Sequence, residues 1–174
     1  PSNWSYNSHS VTLEGAQTAL QHFFPDFTFS KDGQSLTGYE GSDKNVILPA
    51  YFKDEPVIKI SDDTFKDNQK ITKVSVPATV KIIGENAFSD CLGLTEIIIP
   101  ETVTKIDDLV FNGCKNLEYI NIPRDCQSIG EYTFYGCDAL TTITFKGDIP
   151  KYLYGDIKNL TTIILEEGVT KVQN

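Results

Sequence analysis

Apolar residues recur along this chain at one fixed interval. Phe65, Phe88, Phe111 and Phe134 are each 23 residues apart. Three residues after each come Asn68, Cys91, Cys114 and Cys137, and six after come Ile71, Leu94, Leu117 and Leu140. The columns continue with Val74, Ile97, Ile120 and Ile143, then Val76, Ile99, Ile122 and Phe145, and Pro77, Pro100 and Pro123 close that segment. Val80, Val103, Cys126 and Ile149 follow in phase, then Ile83, Ile106, Ile129 and Tyr152. A unit this short cannot bury its own apolar face, so units must stack and share one continuous core.

Within a unit the pattern predicts three pieces. Leu94–Pro100 reads as a strand with Leu94, Ile97 and Ile99 turned inward, and its Pro, which donates no backbone hydrogen bond, suits a strand end. Val103–Ile106 is a second short extended piece returning along the other side. Gly84–Cys91 reads as a single helical turn that inserts Phe88 into the core. Successive coils should sit about 4.8 Å apart, the spacing between paired strands.

These columns carry a resemblance. The pattern Cys-x-x-Leu-x-x-Ile-x-Ile-Pro-x-x-Val-x-x-Ile-x-x-x-Ala-Phe resembles the BspA-like class of leucine-rich repeats. Residues 91–111, 114–134 and the 68–88 copy fit it, and the resemblance covers about residues 27–172. It implies a leucine-rich repeat solenoid of the α/β horseshoe class, dominated by β structure. The expected form is a curved, right-handed stack of strand–turn units with short helical turns. Proteins with such repeats are associated with bacterial or protozoan cell surfaces, with adhesion and with binding of matrix or host proteins. The repeat carries no catalytic residues, so none is implied here.

The ends depart from the period. Residues 27–49 read as a lead-in. Phe27-Thr28-Phe29 and Leu36–Tyr39 flank the turn Lys31-Asp32-Gly33, and Val46–Pro49 is a first strand. The return path 51–60 is about five residues longer than in later units. Residues 1–26 form either a helical cap or the remnant of an upstream module. Thr12 is an N-cap candidate there, Leu13, Ala16, Leu20 and Phe23 have helical spacing, and Pro25 is a stop. The division expected is thus 1–26 and a repeat domain over 27–174 of about five coils. The last segment, Leu160–Val172, is in phase but stops before the next turn, so further repeats or another domain are expected to follow.

Composition narrows the function classes. The chain has 174 residues, 15 Lys+Arg against 24 Asp+Glu and a formal charge of -9. An acidic chain without a basic run is not a phosphate-backbone binder, so nucleic acid is not an expected partner. No apolar run approaches the roughly 18 residues needed to cross a bilayer, and no signal segment opens the chain, so no membrane insertion is expected. The expected location is extracellular or at the cell surface, and the expected state is monomeric.

Candidate chemistry is sparse. Cys91, Cys114 and Cys137 share one column, where parallel Cβ vectors suit neither disulfide nor tetrahedral metal geometry. Buried free thiols acting as small hydrophobes are expected, Cys126 among them. Asp62, Glu85, Asp108 and Glu131 form a carboxylate column, each at the start of a turn. A calcium-binding edge is the weaker alternative for this column, because a straight ladder supplies poorly the six to eight oxygens that calcium takes, and the reading favoured is no metal site. The only histidines, His9 and His22, lie outside the array, and no nucleophile elbow, Walker loop or metalloprotease helix occurs. The expectation is a non-enzymatic chain without cofactor. Two glycosylation sequons, at Asn3 and Asn159, are usable only in a host that glycosylates secreted proteins.

Binding has the better case. Side chains between the buried ones should face outward on the concave sheet, where Thr dominates the last strands. Around the middle of the array Lys73, Glu96, Ile98, Glu118, Tyr119 and Asn121 form a mixed apolar, aromatic and charged group, the composition of a recognition face. The reading is a protein- or glycan-binding module acting through that face. The alternative is a structural spacer holding another domain away from the cell.

Overall fold

A computed structural model describes residues 24–149 and 157–171. The N-terminal helix expected over residues 12–23 and the column position Tyr152 lie outside the described residues. The chain winds as a β-solenoid of two main sheets, with strands numbered in chain order. One sheet holds β1 (Phe27–Phe29), β2 (Ser35–Tyr39), β6 (Lys59–Ile60), β8 (Ile82–Ile83), β10 (Lys105–Ile106) and β12 (Ser128–Ile129), in the order β1-β2-β6-β8-β10-β12. The other holds β3 (Asn45–Ile47), β7 (Lys73–Ser75), β9 (Glu96–Ile98), β11 (Tyr119–Ile122), β13 (Thr142–Phe145) and β14 (Thr162–Leu165), in the order β14-β13-β11-β9-β7-β3. Every pair in this second sheet is parallel.

Register follows the sequence period. Val74 pairs with Ile97 and Ile120 with Ile143, so the inward columns coincide in space. Their residues are buried throughout the middle coils, from Ile71 and Leu94 to Leu140 and Phe145. The Phe column forms a stack: ring centroids of Phe65, Phe88, Phe111 and Phe134 lie 5.0, 5.6 and 5.9 Å apart with nearly parallel planes. Such stacking adds specific contact to the burial that stabilises each coil.

The third side differs from the sequence expectation of a helical turn. Among the described residues there is no helix; this side is a run of turns. The reason is backbone handedness. Asn86 and Asp90 have φ of 54° and 55°, and Asp63, Asp67, Leu109, Gly113, Tyr132 and Gly136 repeat that conformation in the other coils. A left-handed residue twice per unit interrupts a right-handed helix. Alternate amides then close a turn or cross to the next coil, as Cys91 N–H does to the Phe88 carbonyl at 3.2 Å and Phe88 N–H to the Val110 carbonyl at 2.9 Å. The inserted Phe is still delivered to the core.

At the N-terminal side β1 and β2 form an antiparallel hairpin that adds to the first sheet. Phe27, Phe29, Tyr39 and Phe52 pack around it, with Phe29 stacked on Phe52 at 3.9 Å. The long first return path contains a small hairpin, β4 (Tyr51–Phe52) with β5 (Glu55–Pro56), turned by Lys53 and Asp54 at positive φ.

Candidate binding face

The outward positions of the all-parallel sheet run in two rows. The first is Asn45, Lys73, Glu96, Tyr119, Thr142 and Thr162; the second is Ile47, Ser75 and Ile98, and beyond β9 its phase passes to Asn121 and Thr144, both buried, and then to Ile164. Alternation along β3, β7 and β9 puts their members on the face opposite Val46, Val74 and Ile97, whereas β11 and β13 each bury three residues in a row. Lys73 Nζ meets Glu96 Oε2 at 2.6 Å, an exposed ion pair that contributes little to stability. Glu118 is exposed at the entry to β11, and Tyr119 is 36% exposed.

Among the described residues, the second row contains the most exposed aliphatic side chains. Ile47 is 78% and Ile98 58% exposed, one on each side of Ser75. Together with Lys73, Glu96 and Pro100 they line an open groove of about 370 Å³. Sequence reasoning missed Ile47. It pairs with Ser75 at a separation of 28 residues, not 23, because the β4–β5 hairpin lengthens its coil. Adding those five residues to the period would have placed it in the row.

Asn121 corrects an expectation. Its side chain is not on the open face but 2% exposed, with Oδ1 accepting from Ile99 N–H at 2.9 Å and Nδ2 donating to the Ile99 carbonyl at 2.7 Å. Pro123 stands where a strand residue would offer its N–H to that carbonyl, so the amide supplies a donor that the proline lacks. One coil later Lys146 occupies the equivalent place and its N–H does bond the Ile122 carbonyl, at 3.1 Å. The Asn121 amide therefore substitutes for a backbone pair, and β9 and β11 share only the Tyr119–Glu96 register. Of the six residues the sequence suggested, five remain at the surface.

The cysteines are free and buried, as their column position suggested. Their sulfurs do more than fill space. Cys91, Cys114 and Cys137 each donate to a Phe carbonyl one coil back, at 3.0, 3.1 and 3.1 Å. Burial pushes the Cys91 and Cys137 thiols up to about 12, Cys126 to about 11, and Cys114 well above its ordinary value. These are unreactive thiols. Along the carboxylate column, Asp62 pairs with Lys59 at 3.2 Å, and Asp108 Oδ1 accepts from Glu131 N–H at 2.9 Å. Among the described residues no three acidic, His or Cys side chains converge as metal ligands. No described helix is long and apolar enough to cross a membrane.

A two-sheet stack of short coils with a Phe–Cys–Leu–Ile column set defines a leucine-rich repeat protein. The chain belongs to the family described as BspA type leucine rich repeat region, whose model matches six copies over residues 58–174. A search of curated proteins finds no match. Among solved structures it is similar to a leucine-rich repeat protein of T. pallidum, TpLRR, at 21% identity over 83% of this chain and 82% of that one, TM-score 0.62. It is similar also to the pneumococcal vaccine antigen PcpA, at 22% identity over 86% of this chain and 38% of that one, TM-score 0.65. A leucine-rich repeat protein from Bacteroides ovatus matches at 28% identity over 85% of this chain and 39% of that one, TM-score 0.57. The chain thus spans less than two-fifths of the latter two. The family and fold fit a binding or structural module.

Proposed function

We propose that the chain is a non-enzymatic protein-binding module of a cell-surface or secreted protein, acting in adhesion or in host or matrix interaction. The outer face of the all-parallel sheet is the contact surface, centred on Ile47, Lys73, Ser75, Glu96, Ile98 and Tyr119. One observation carries the reading: Ile47 and Ile98 are exposed on either side of Ser75, in the interior of the sheet's outer face. A surface that only spaced two domains would gain nothing from two aliphatics held in water, since Thr suits a half-exposed strand equally well. An open groove of about 370 Å³ with an apolar floor and a Lys73–Glu96 rim fits one or two apolar side chains of a protein partner. The surface location is supported by membership of the BspA type family and by the likeness to a vaccine antigen.

The test is binding to immobilised extracellular-matrix and serum proteins by the wild-type chain and by I47S/I98S. A partner held by wild type should lose at least tenfold in affinity with the double variant, while the melting temperature hardly moves because both side chains are exposed. Equal binding by the two proteins contradicts the assignment. A chain that holds none of them leaves the spacer reading as the better account.

A further inference from the structure

A second surface lies on the turn side, away from the sheet. Tyr132 and Tyr135 are 55% and 48% exposed, with ring centroids 6.3 Å apart and planes at 84°. Tyr132 has φ of 55°. The same column holds Asp63 and Asn86, residue types that tolerate this left-handed backbone, and Leu109, which like Tyr132 adopts it at a cost. Tyr135 stands in the column of Lys66, Ser89 and Asn112, polar in the other coils.

The surroundings are anionic. Glu131 immediately precedes Tyr132, and Asp108 reaches its backbone from the coil before, at 2.9 Å. Glu85 continues the row. Among the described residues none of these three carboxylates has a cation at salt-bridge distance, and Lys105, paired with Asp107, is near enough to feel the charge of Asp108. The two rings pack edge to face and stand about half exposed, so open ring face remains as a seat for a cation. Carboxylates beside the corner add attraction for positive charge and repel negative charge.

We infer that the corner formed by Tyr132 and Tyr135, with Glu131 and Asp108 beside it, docks a basic peptide segment by taking one of its Arg or Lys side chains. This site is separate from the sheet face and makes the module able to hold two contacts at once. It needs no conformational change, since both rings already stand in solvent.

The experiment titrates a fluorescein-labelled peptide of alternating Arg and Ser into the full chain, followed by anisotropy. An acidic peptide of equal length and a neutral oligosaccharide serve as the other arms. The test variant is Y132N/Y135S, built from residues the repeat itself places in these columns; Y132N alone serves if the pair folds poorly. The expected result is binding of the basic peptide alone. It should weaken about tenfold in Y132N/Y135S, stay unchanged in I47S/I98S, and come with a melting temperature equal to wild type or higher. Equal binding by Y132N/Y135S overturns the proposal, because attraction by the overall charge of -9 would then explain it. Absence of basic-peptide binding overturns it as well, and so does tyrosine-dependent binding of the oligosaccharide.

Discussion

At the residue scale, Asn121 shows how one side chain can leave a binding face to mend a backbone. Its oxygen accepts from Ile99 N–H, and its nitrogen donates to the Ile99 carbonyl in place of the N–H that Pro123 lacks. Asn121→Ala should therefore cost about 1–3 kcal/mol in urea unfolding, the penalty of leaving a buried N–H and carbonyl unpaired. A change within about 0.3 kcal/mol would mean that the amide is not doing this, a threshold set by ordinary surface substitutions. The thiols make a second residue-scale prediction. Cys91, Cys114 and Cys137 keep their protons in the fold far above the pH at which an unfolded thiol loses its own. The native state then binds more protons than the unfolded chain above about pH 9, so stability is full below that pH and falls as pH rises towards 12. Urea midpoints at pH 7.5 and pH 10 check this, the second being lower; Cys91→Val and Cys114→Val should flatten the difference. An equal midpoint at both pH values in the wild type would contradict it.

At the element scale, most of the coil was readable from the sequence because each column was sampled several times. Four Phe residues at one interval, and Leu, Ile and Val columns in fixed phase, specify which side of each strand is buried. The parallel register of Val74 with Ile97 and of Ile120 with Ile143 follows from that. What was not readable depends on single events. The turn side looks helical in composition, but its handedness is decided by positive φ at residues such as Asn86 and Asp90, for which Leu109 and Tyr132 give no sequence hint. Ile47 was hidden by the β4–β5 hairpin, which shifts its coil out of the period. Asn121 was hidden because its side chain turns in to pair with both backbone groups of Ile99, a local bond that no repeat column signals. The Phe stack gives the sharpest prediction here. Phe111 is fully buried between two other rings, so Phe111→Ala should cost about 3–5 kcal/mol by denaturant unfolding. A loss under about 1 kcal/mol would place Phe111 outside the core, since so small an effect belongs to surface positions.

At the scale of the whole molecule, the solenoid separates stability from recognition. The columns that hold the coils together point inward, and the residues proposed for binding stand on strands whose backbone is already paired. Two surfaces can vary independently on such a frame: the sheet face around Ile47 and Ile98, and the turn edge around Tyr132 and Tyr135. Substitutions at either should leave unfolding nearly unchanged, while core substitutions should weaken folding and both surfaces together. The most direct test of the sheet-face assignment is a hydrogen-exchange footprint of the chain with a bound partner protein. The account predicts added protection on 45–47, 73–75 and 96–98, the strands β3, β7 and β9. Protection confined to the opposite sheet, over β8, β10 and β12, would contradict it.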